Sequence, residues 1–312
     1  MEYYEPIYIK TFRSGQLQEK IQTARKIMNA CEICPRQCRV NRNSGETGIC
    51  KTAGNAVLYR YKVHYGEETP LIGANGSGSF FFTHCNLRCI FCQNFEMSHQ
   101  GKGREITAEE MAGMMLTLQK SGCSNINFIT PTHVIPQILS ALGIAIHKGL
   151  SIPLVYNSSG YESVETLKLL DGVIDIYMPD FKFWDPEISE KLCGVRDYAE
   201  KTRAAIIEMH RQTGDLVLDE TGTARRGLLL RHLILPSGLA GTRDIMRFTA
   251  RQISPNTYVN IMPQFKPYYR SREVRELMNR ITECDYADVL KTAREEGITR
   301  IDPLPGKVFM SF

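Results

Sequence analysis

From Gly78 onward, short apolar runs alternate with segments of helical period, a texture that commits the chain to strands and helices arranged around a parallel sheet. The first strand reads Ser79-Phe80-Phe81-Phe82-Thr83. A helix follows from Thr107, where Thr107 and Glu110 form a capping-box pattern and Met111, Met114, Met115 and Leu118 share one core-facing stripe. A second strand over Asn125 to Thr130 leads to a helix with Val134, Ile135, Ile138, Leu139, Leu142 and Ile146 at helical spacing. Ser151 to Tyr156 and Gly172 to Met178 supply the third and fourth strands, with helices over Ser163 to Leu170 and around Tyr198 to Arg211. Leu228 to Leu235 and Thr257 to Met262 bring the count to about six units. The spacing predicts an α/β fold, a partial (β/α)6 TIM-like barrel, with its chemistry at the C-terminal ends of the strands.

The sequence before this alternation is irregular. A helix is expected over Ser14 to Ala30, and then Cys31, Cys34, Cys38 and Cys50 fall in polar, glycine-containing sequence that needs a metal to fold. The boundary falls near Asn75, giving a small cysteine-rich N-terminal extension over 1–75 and the barrel over 76–312.

With 312 residues, 43% of them hydrophobic and 23% charged, the chain can bury a sizeable core. A formal net charge of +4 is too small for the electrostatic footprint of a nucleic-acid binder. No apolar run approaches the roughly 20 residues of a membrane span, and Met1-Glu2-Tyr3-Tyr4-Glu5-Pro6 lacks the basic flank and apolar stretch of a signal peptide. A cytoplasmic protein with neither membrane nor nucleic acid as partner is expected. In that reducing compartment ten cysteines point to metal rather than disulfides, and seven of the ten lie between Cys31 and Cys92.

Cys85-Asn86-Leu87-Arg88-Cys89-Ile90-Phe91-Cys92 begins directly after the first strand, hence at the catalytic rim. Closed structural zinc sites usually draw four ligands, whereas this loop offers three thiols within eight residues. A four-iron cubane held by three cysteines leaves one iron able to bind a small molecule and pass it an electron. Phe91, with Phe81, Phe82 and Phe95, is expected to shield that cluster from water. The alternative is zinc completed by His84 or Cys123. Cys31, Cys34, Cys38 and Cys50 can close either a zinc site or an auxiliary iron–sulfur cluster, and spacing does not choose between them. Arg36, Arg39 and Arg42 can offset the negative charge of four thiolates, and an electron relay favours the cluster. Cys123, Cys193 and Cys284 read as buried thiols.

The pattern C-x3-C-x-aromatic-C after a first strand resembles the signature of the radical S-adenosylmethionine superfamily. The string C-N-L-R-C-I-F-C-Q-N from Cys85 to Asn94 is similar to the subgroup related to pyruvate formate-lyase activating enzyme, and the resemblance runs from about Cys31 to about Gln264. It implies a [4Fe–4S] cluster on Cys85, Cys89 and Cys92 whose open iron is chelated by the amino and carboxylate groups of S-adenosylmethionine. Reductive cleavage to a 5′-deoxyadenosyl radical and hydrogen abstraction from a substrate follow, with a glycyl residue of a partner enzyme as one candidate and flavodoxin or ferredoxin as electron donor.

Further rim motifs come with the resemblance. Thr130-Pro131-Thr132-His133 stands where the family carries Gly-Gly-Glu-Pro, so that backbone and the hydroxyls of Thr130 and Thr132 receive the methionine amine, although Thr132 equally suits a helix N-cap. His133 is a candidate substrate contact. Asn157-Ser158-Ser159-Gly160 resembles Asp-Thr-Asn-Gly, which gives Asn157 and Ser158 the ribose hydroxyls. Met178-Pro179-Asp180-Phe181-Lys182 resembles Met-x-Asp-x-Lys: Asp180 accepts from the ligand, and Lys182 offsets its charge or meets an acidic substrate group, unless the two simply pair. Arg231, rather than His232, matches the arginine that neutralises the methionine carboxylate. Asn260 to Gln264 resembles the adenine-side segment, with Phe265 and Lys266 where family members often place a histidine. Tyr268-Tyr269-Arg270-Ser271-Arg272 reads as a solvated loop opening a helix. The reading from another class is a non-catalytic iron–sulfur electron carrier or sensor.

Overall fold

The computed structural model describes residues 4–303. Its strands are β1 (Ala56–His64), β2 (Ser77–Phe82), β3 (Arg104–Ile106), β4 (Ile126–Ile129), β5 (Leu154–Ser158), β6 (Ile176–Pro179), β7 (Val217–Leu218), β8 (Ala224–Leu233) and β9 (Tyr258–Met262). They join in the order β3-β1-β2-β4-β5-β6-β8, with β7 and β9 both pairing β8. β2, β4, β5, β6, β8 and β9 run parallel, neighbour to neighbour in chain order. These are the six strands the apolar runs predict, and the fold is the expected α/β partial barrel.

Helices connect the parallel strands: Ala108–Lys120, Ile135–His147, Val164–Leu169, Tyr198–Thr213 and Thr242–Phe248, with Glu283–Glu295 after β9. The capping box forms as read: the Thr107 amide donates to Glu110 Oε2 at 2.8 Å, and the Glu110 amide to Thr107 Oγ1 at 3.1 Å. Met111, Met115 and Leu118 are buried on that helix, and Met114 packs against the core from its edge. Phe80, Phe128, Tyr156 and Tyr177 stand in register across four neighbouring strands. Phe80 and Phe128 lie 5.7 Å apart and Tyr156 and Tyr177 5.8 Å apart, and the four rings pack on the face of the sheet that the helices cover.

The N-terminal part is woven into the same body. The helix expected over Ser14 to Ala30 forms as Gln16–Ile27 with a 3-10 turn at Met28–Ala30, and Gly15, where φ is +80°, separates it from a further helix, Ile7–Arg13, that the sequence reading did not include. Tyr8 donates to the Ile152 carbonyl at 2.9 Å, and buried Asp175 accepts the amides of Ile7 at 2.9 Å and Leu154 at 2.8 Å. The boundary drawn near Asn75 falls between β1 and β2, which pair antiparallel along most of their length. β1 and β3 have no counterpart in the alternation from Gly78: β1 is buried only at Ala56 and Leu58, in the stretch that β3 covers, so its alternation is weak beyond it, and β3 is three residues long.

Candidate active site

One open cavity lies at the C-terminal ends of the parallel strands, and all six strands reach it. Cys85, Cys89 and Cys92 enter from the loop after β2, Thr130 follows β4, and Asn157, Ser158 and Ser159 come from the end of β5. Asp180 and Lys182 follow β6, Arg231 sits in β8, and Met262 and Gln264 end β9. Residues more than 170 positions apart in sequence therefore share one wall, as a barrel rim requires.

Local geometry shapes the cysteine loop. His84 and Arg88 hold φ at +74° and +60°, and Thr130 across the cavity holds +58°, a region that a β-branched residue rarely enters. Such residues cost about 1–3 kcal/mol each and persist where surrounding contacts over-determine them. Here the contacts are plain: Ile90 donates to the Leu192 carbonyl at 2.9 Å, Gln93 Nε2 to the Gln264 carbonyl at 3.0 Å, and Thr130 to the Asn157 carbonyl at 2.8 Å. The Leu87 amide points at Cys85 Sγ, 3.4 Å away, and Ser98 Oγ lies 3.1 Å from Cys92 Sγ. Burial pushes the Cys85 thiol up to about 12 and raises Cys92; Cys89 is raised by its hydrogen bond to Cys193 and by burial. Thiols so placed shed their protons to a bound metal, not to water.

The polar wall is a buried charge network. Asp180 is ion-paired with Lys182 Nζ and with Arg231 Nε at 2.7 Å. Arg231 also donates to Asn157 Oδ1 at 2.7 Å and faces Glu68 at 3.4 Å, and Asn260 donates to Glu68 at 2.9 Å. Burial opposes ionisation of Asp180, yet the two cations outweigh it and hold its carboxyl below the usual range. Glu67 beside Glu68 is pushed the other way, to about 7, by burial and then by its neighbour's charge. The mutual pairing of Asp180 and Lys182 is thus realised, and both still line the cavity.

Thr132 and His133 sit differently from the other rim residues. Thr132 is fully buried, its hydroxyl donating to Glu162 Oε1 at 2.6 Å, and it does not line the cavity. His133 is buried with Nε2 2.8 Å from the Thr83 carbonyl; burial depresses it to about 3, and it too is absent from the lining. His232 is a core histidine between the Phe181 carbonyl and Thr242 Oγ1. Phe91 is buried against Phe183 and Phe265, each 5.9 Å away, while Phe95 stacks on Tyr269 and Phe81 faces Arg60 and Lys62. Cys123 precedes β4 and so lies at the opposite end of the sheet from the loop. Cys123 and Cys193 are buried as expected, but Cys284 is exposed: it is on the open face of Glu283–Glu295, where only Ala293 is buried.

Several contributors carried no sequence signal strong enough to select them. Arg88 Nη1 and Ser159 Oγ are buried at the cavity without a hydrogen-bond partner. Tyr198, on a helix, donates to the carbonyls of Ser159 and Asp180 and receives the Lys182 amide, knotting two rim loops together. Arg88 stood inside the cysteine motif, where an unpaired guanidinium beside three thiols could have been suspected.

The four N-terminal cysteines lie away from this cavity. Cys31, Cys34 and Cys50 are buried and Cys38 is partly exposed. Among the described residues, no three His, Cys, Asp or Glu side chains converge on a point as ligands of a single metal ion do.

The radical SAM superfamily model matches residues 79–219, which hold the cysteine loop and the rim as far as Lys182. The uncharacterized protein MJ0674 of Methanocaldococcus jannaschii is 30% identical over 295 residues, covering 91% of this chain and 80% of that protein. The uncharacterized protein MJ0808 of the same organism is 28% identical over 180 residues, 52% of each chain. A crystal structure of methylornithine synthase superposes with a TM-score of 0.47 at 15% identity, covering 90% of this chain and 69% of that one. The chain belongs to the radical SAM superfamily, whose enzymes use a [4Fe–4S] cluster and S-adenosylmethionine. Among the described residues no helix is long and apolar enough to cross a membrane.

Proposed function

We propose that the cavity binds S-adenosylmethionine against a four-iron cluster held by Cys85, Cys89 and Cys92, and that the pair serves hydrogen abstraction from an organic substrate. The observation that carries the reading is the meeting of three thiols, Cys89 buried and Cys85 and Cys92 half-buried, with polar groups from all six strand ends in one open space, two of them unspent. A donor set of three thiols suits a cluster with one open iron better than a closed four-ligand ion. When bound, the cluster supplies the single electron that cleaves the sulfonium of S-adenosylmethionine and so yields the hydrogen-abstracting adenosyl radical.

The chain's own residues bind and orient. Arg88, with a free Nη1, and Arg231, with N–H groups beyond those given to Asp180 and Asn157, would receive the methionine carboxylate. The carbonyls around Thr130 would take the amine, with Thr132 acting only through Glu162. Asn157, Ser158 and Ser159 would hold the ribose hydroxyls. Asp180 would accept from the ligand while Lys182 balances its charge. Phe91, Phe183 and Phe265 exclude water behind the thiols. The reading extends to Cys31, Cys34, Cys38 and Cys50 as ligands of an auxiliary iron–sulfur cluster or zinc. A glycyl residue of a partner enzyme as hydrogen donor rests on the Cys85 to Asn94 string alone, and a flavodoxin or ferredoxin would deliver the electron.

Anaerobic reconstitution with iron and sulfide, then dithionite and S-adenosylmethionine, tests the reading. Formation of 5′-deoxyadenosine is expected. An intact cluster that forms none would sink it in favour of an electron carrier or sensor. Deuterium transfer from candidate polypeptides or metabolites into 5′-deoxyadenosine identifies the substrate.

A further inference from the structure

Arg36 lies between Cys34 and Cys38 in sequence, yet its guanidinium reaches over the Tyr161 ring, 5.8 Å from its centre, and donates to four main-chain carbonyls elsewhere. Nε donates to Asn86 at 3.0 Å and Nη2 to Leu87 at 3.4 Å, inside the Cys85–Cys92 loop. Nη1 donates to Gly194 at 3.0 Å and Nη2 to Cys193 at 3.2 Å, at the C-terminus of the Pro186–Cys193 helix. Those last carbonyls have no partner within their helix, and a cation there is doubly favoured. One side chain of the N-terminal cysteine segment therefore staples the cluster loop to a helix end.

The segment that presents Arg36 has little else to hold it. Between Ala30 and β1 its only regular element among the described residues is one 3-10 turn at Arg42–Ser44. Gln37, Arg39 and Lys51, flanking Cys38 and Cys50, hold φ at +41°, +55° and +56°. Backbone bonds from Cys31 to Val40 and from Arg39 to Cys31 fold the segment on itself, and the Ile49 amide lies 3.5 Å from Cys38 Sγ. Gly48 meets that sulfur so closely that a Cβ there would stand 2.6 Å from it. Arg42 is 1% exposed, with Nε and Nη2 on the Ala53 carbonyl and Nη1 3.9 Å from Cys31 Sγ; no carboxylate pairs with it among the described residues. A buried guanidinium without an acid is costly, and four metal-bound thiolates supply the missing negative charge.

We infer that Cys31, Cys34, Cys38 and Cys50 hold a metal whose work is to brace the cluster loop, and that Arg36 is the positioning residue through which it acts. The inference rests on the thiolate reading of both cysteine groups. The shared chemistry is a four-thiolate centre; the four side chains do not meet at one point as ligands of a single ion do, which suits an iron–sulfur cluster with one thiolate per iron better than zinc, and the first experiment tells these apart. The full chain with Cys85→Ala, Cys89→Ala and Cys92→Ala is reconstituted anaerobically with iron and sulfide, and zinc, iron and sulfide are measured. About one zinc site, or one cluster's iron and sulfide, is expected per chain; a variant with parental circular dichroism that holds neither overturns the second site. Formation of 5′-deoxyadenosine by the parent is read separately and does not depend on that result.

The second experiment compares Arg36→Lys, which keeps the charge but cannot span four carbonyls, with Arg36→Ala. Metal content at the N-terminal group is expected to persist. Amide exchange over residues 84–92 is expected to quicken about tenfold, since charged hydrogen bonds close the local opening. The electron paramagnetic resonance line shape and midpoint potential of the reduced cluster on Cys85, Cys89 and Cys92 should shift, and Cys50→Ser should reproduce both changes. Exchange and resonance that match the parent in both arginine variants, with the second metal in place, would overturn the role of Arg36.

Discussion

The two cysteine groups bring the same donor atom into opposite surroundings. Burial pushes Cys85 and Cys34 alike up to about 12, so neither site ionises its thiols without help. Around Cys85 the neighbours are an open cavity, unspent groups on Arg88 and Ser159, and a charge network drawn from strand ends. Around Cys34 the neighbours are turns, a sulfur-filled glycine notch at Gly48 and a buried arginine that has one carbonyl and a sulfur but no carboxylate. The difference teaches that thiol count and spacing name the element class, whereas the polar atoms left free around the thiols indicate whether a ligand is meant to enter.

The largest expected effect is confined to the first group: Cys85→Ala should reduce 5′-deoxyadenosine formation to background by chromatography, while Cys38→Ser should leave it measurable. Next, Asp180→Asn leaves Arg231 and Lys182 facing each other without their shared carboxylate. Breaking a buried pair of this kind costs about 3–5 kcal/mol, which a urea titration would report, and weaker S-adenosylmethionine binding by calorimetry should accompany it. No comparable loss is expected from Glu32→Gln, since its partner Arg39 and Glu32 itself are both exposed.

Glu162 sits where the two regions meet, accepting from Thr132 and Tyr156 and bearing electrostatically on Cys34. Burial raises it from 4.5 to about 7. The folded chain therefore holds a proton that the unfolded chain releases, and stability falls as pH rises from about 4.5 to about 7, by roughly 3 kcal/mol for this group. Glu162→Gln should flatten that slope in denaturation at several pH values; an unchanged slope would place the titration elsewhere. The smallest effect is a control remote from both groups: Thr107→Ala removes a capping box at about 1 kcal/mol and should leave iron, sulfide and zinc contents as in the parent.

The parallel strands were legible because each is buried on both faces and reads as an apolar run, from Phe80 to Ile261. β1 was not, since three successive residues, Tyr59, Arg60 and Tyr61, are exposed where a half-buried strand would alternate. At the site, residues just past an apolar run could be found by position, which is how Asp180 and Arg231 emerged. Thr132 and His133 satisfied the same rule, but the short helical turn there rotates them inward onto Glu162 and the Thr83 carbonyl. Tyr198 and Arg36 act through carbonyls of distant segments, and a hydrogen bond to backbone leaves no trace in the partner's side chain for a sequence to reveal.

The Gln16–Ile27 helix lies against Ile135–His147 in opposed direction: Phe12 meets His147 at the base, Ile21 nears Gly143, and Arg25 donates to Ser140. It climbs from the Asp175 anchor toward the strand ends, and its twelve residues rise about 18 Å. It is in effect a gauge rod between a fixed foot and a cysteine-bearing head. Adding or removing one residue would move that head by about 1.5 Å and turn it by about 100°, enough to carry the arginine four-way clasp off its carbonyls while leaving every cysteine present.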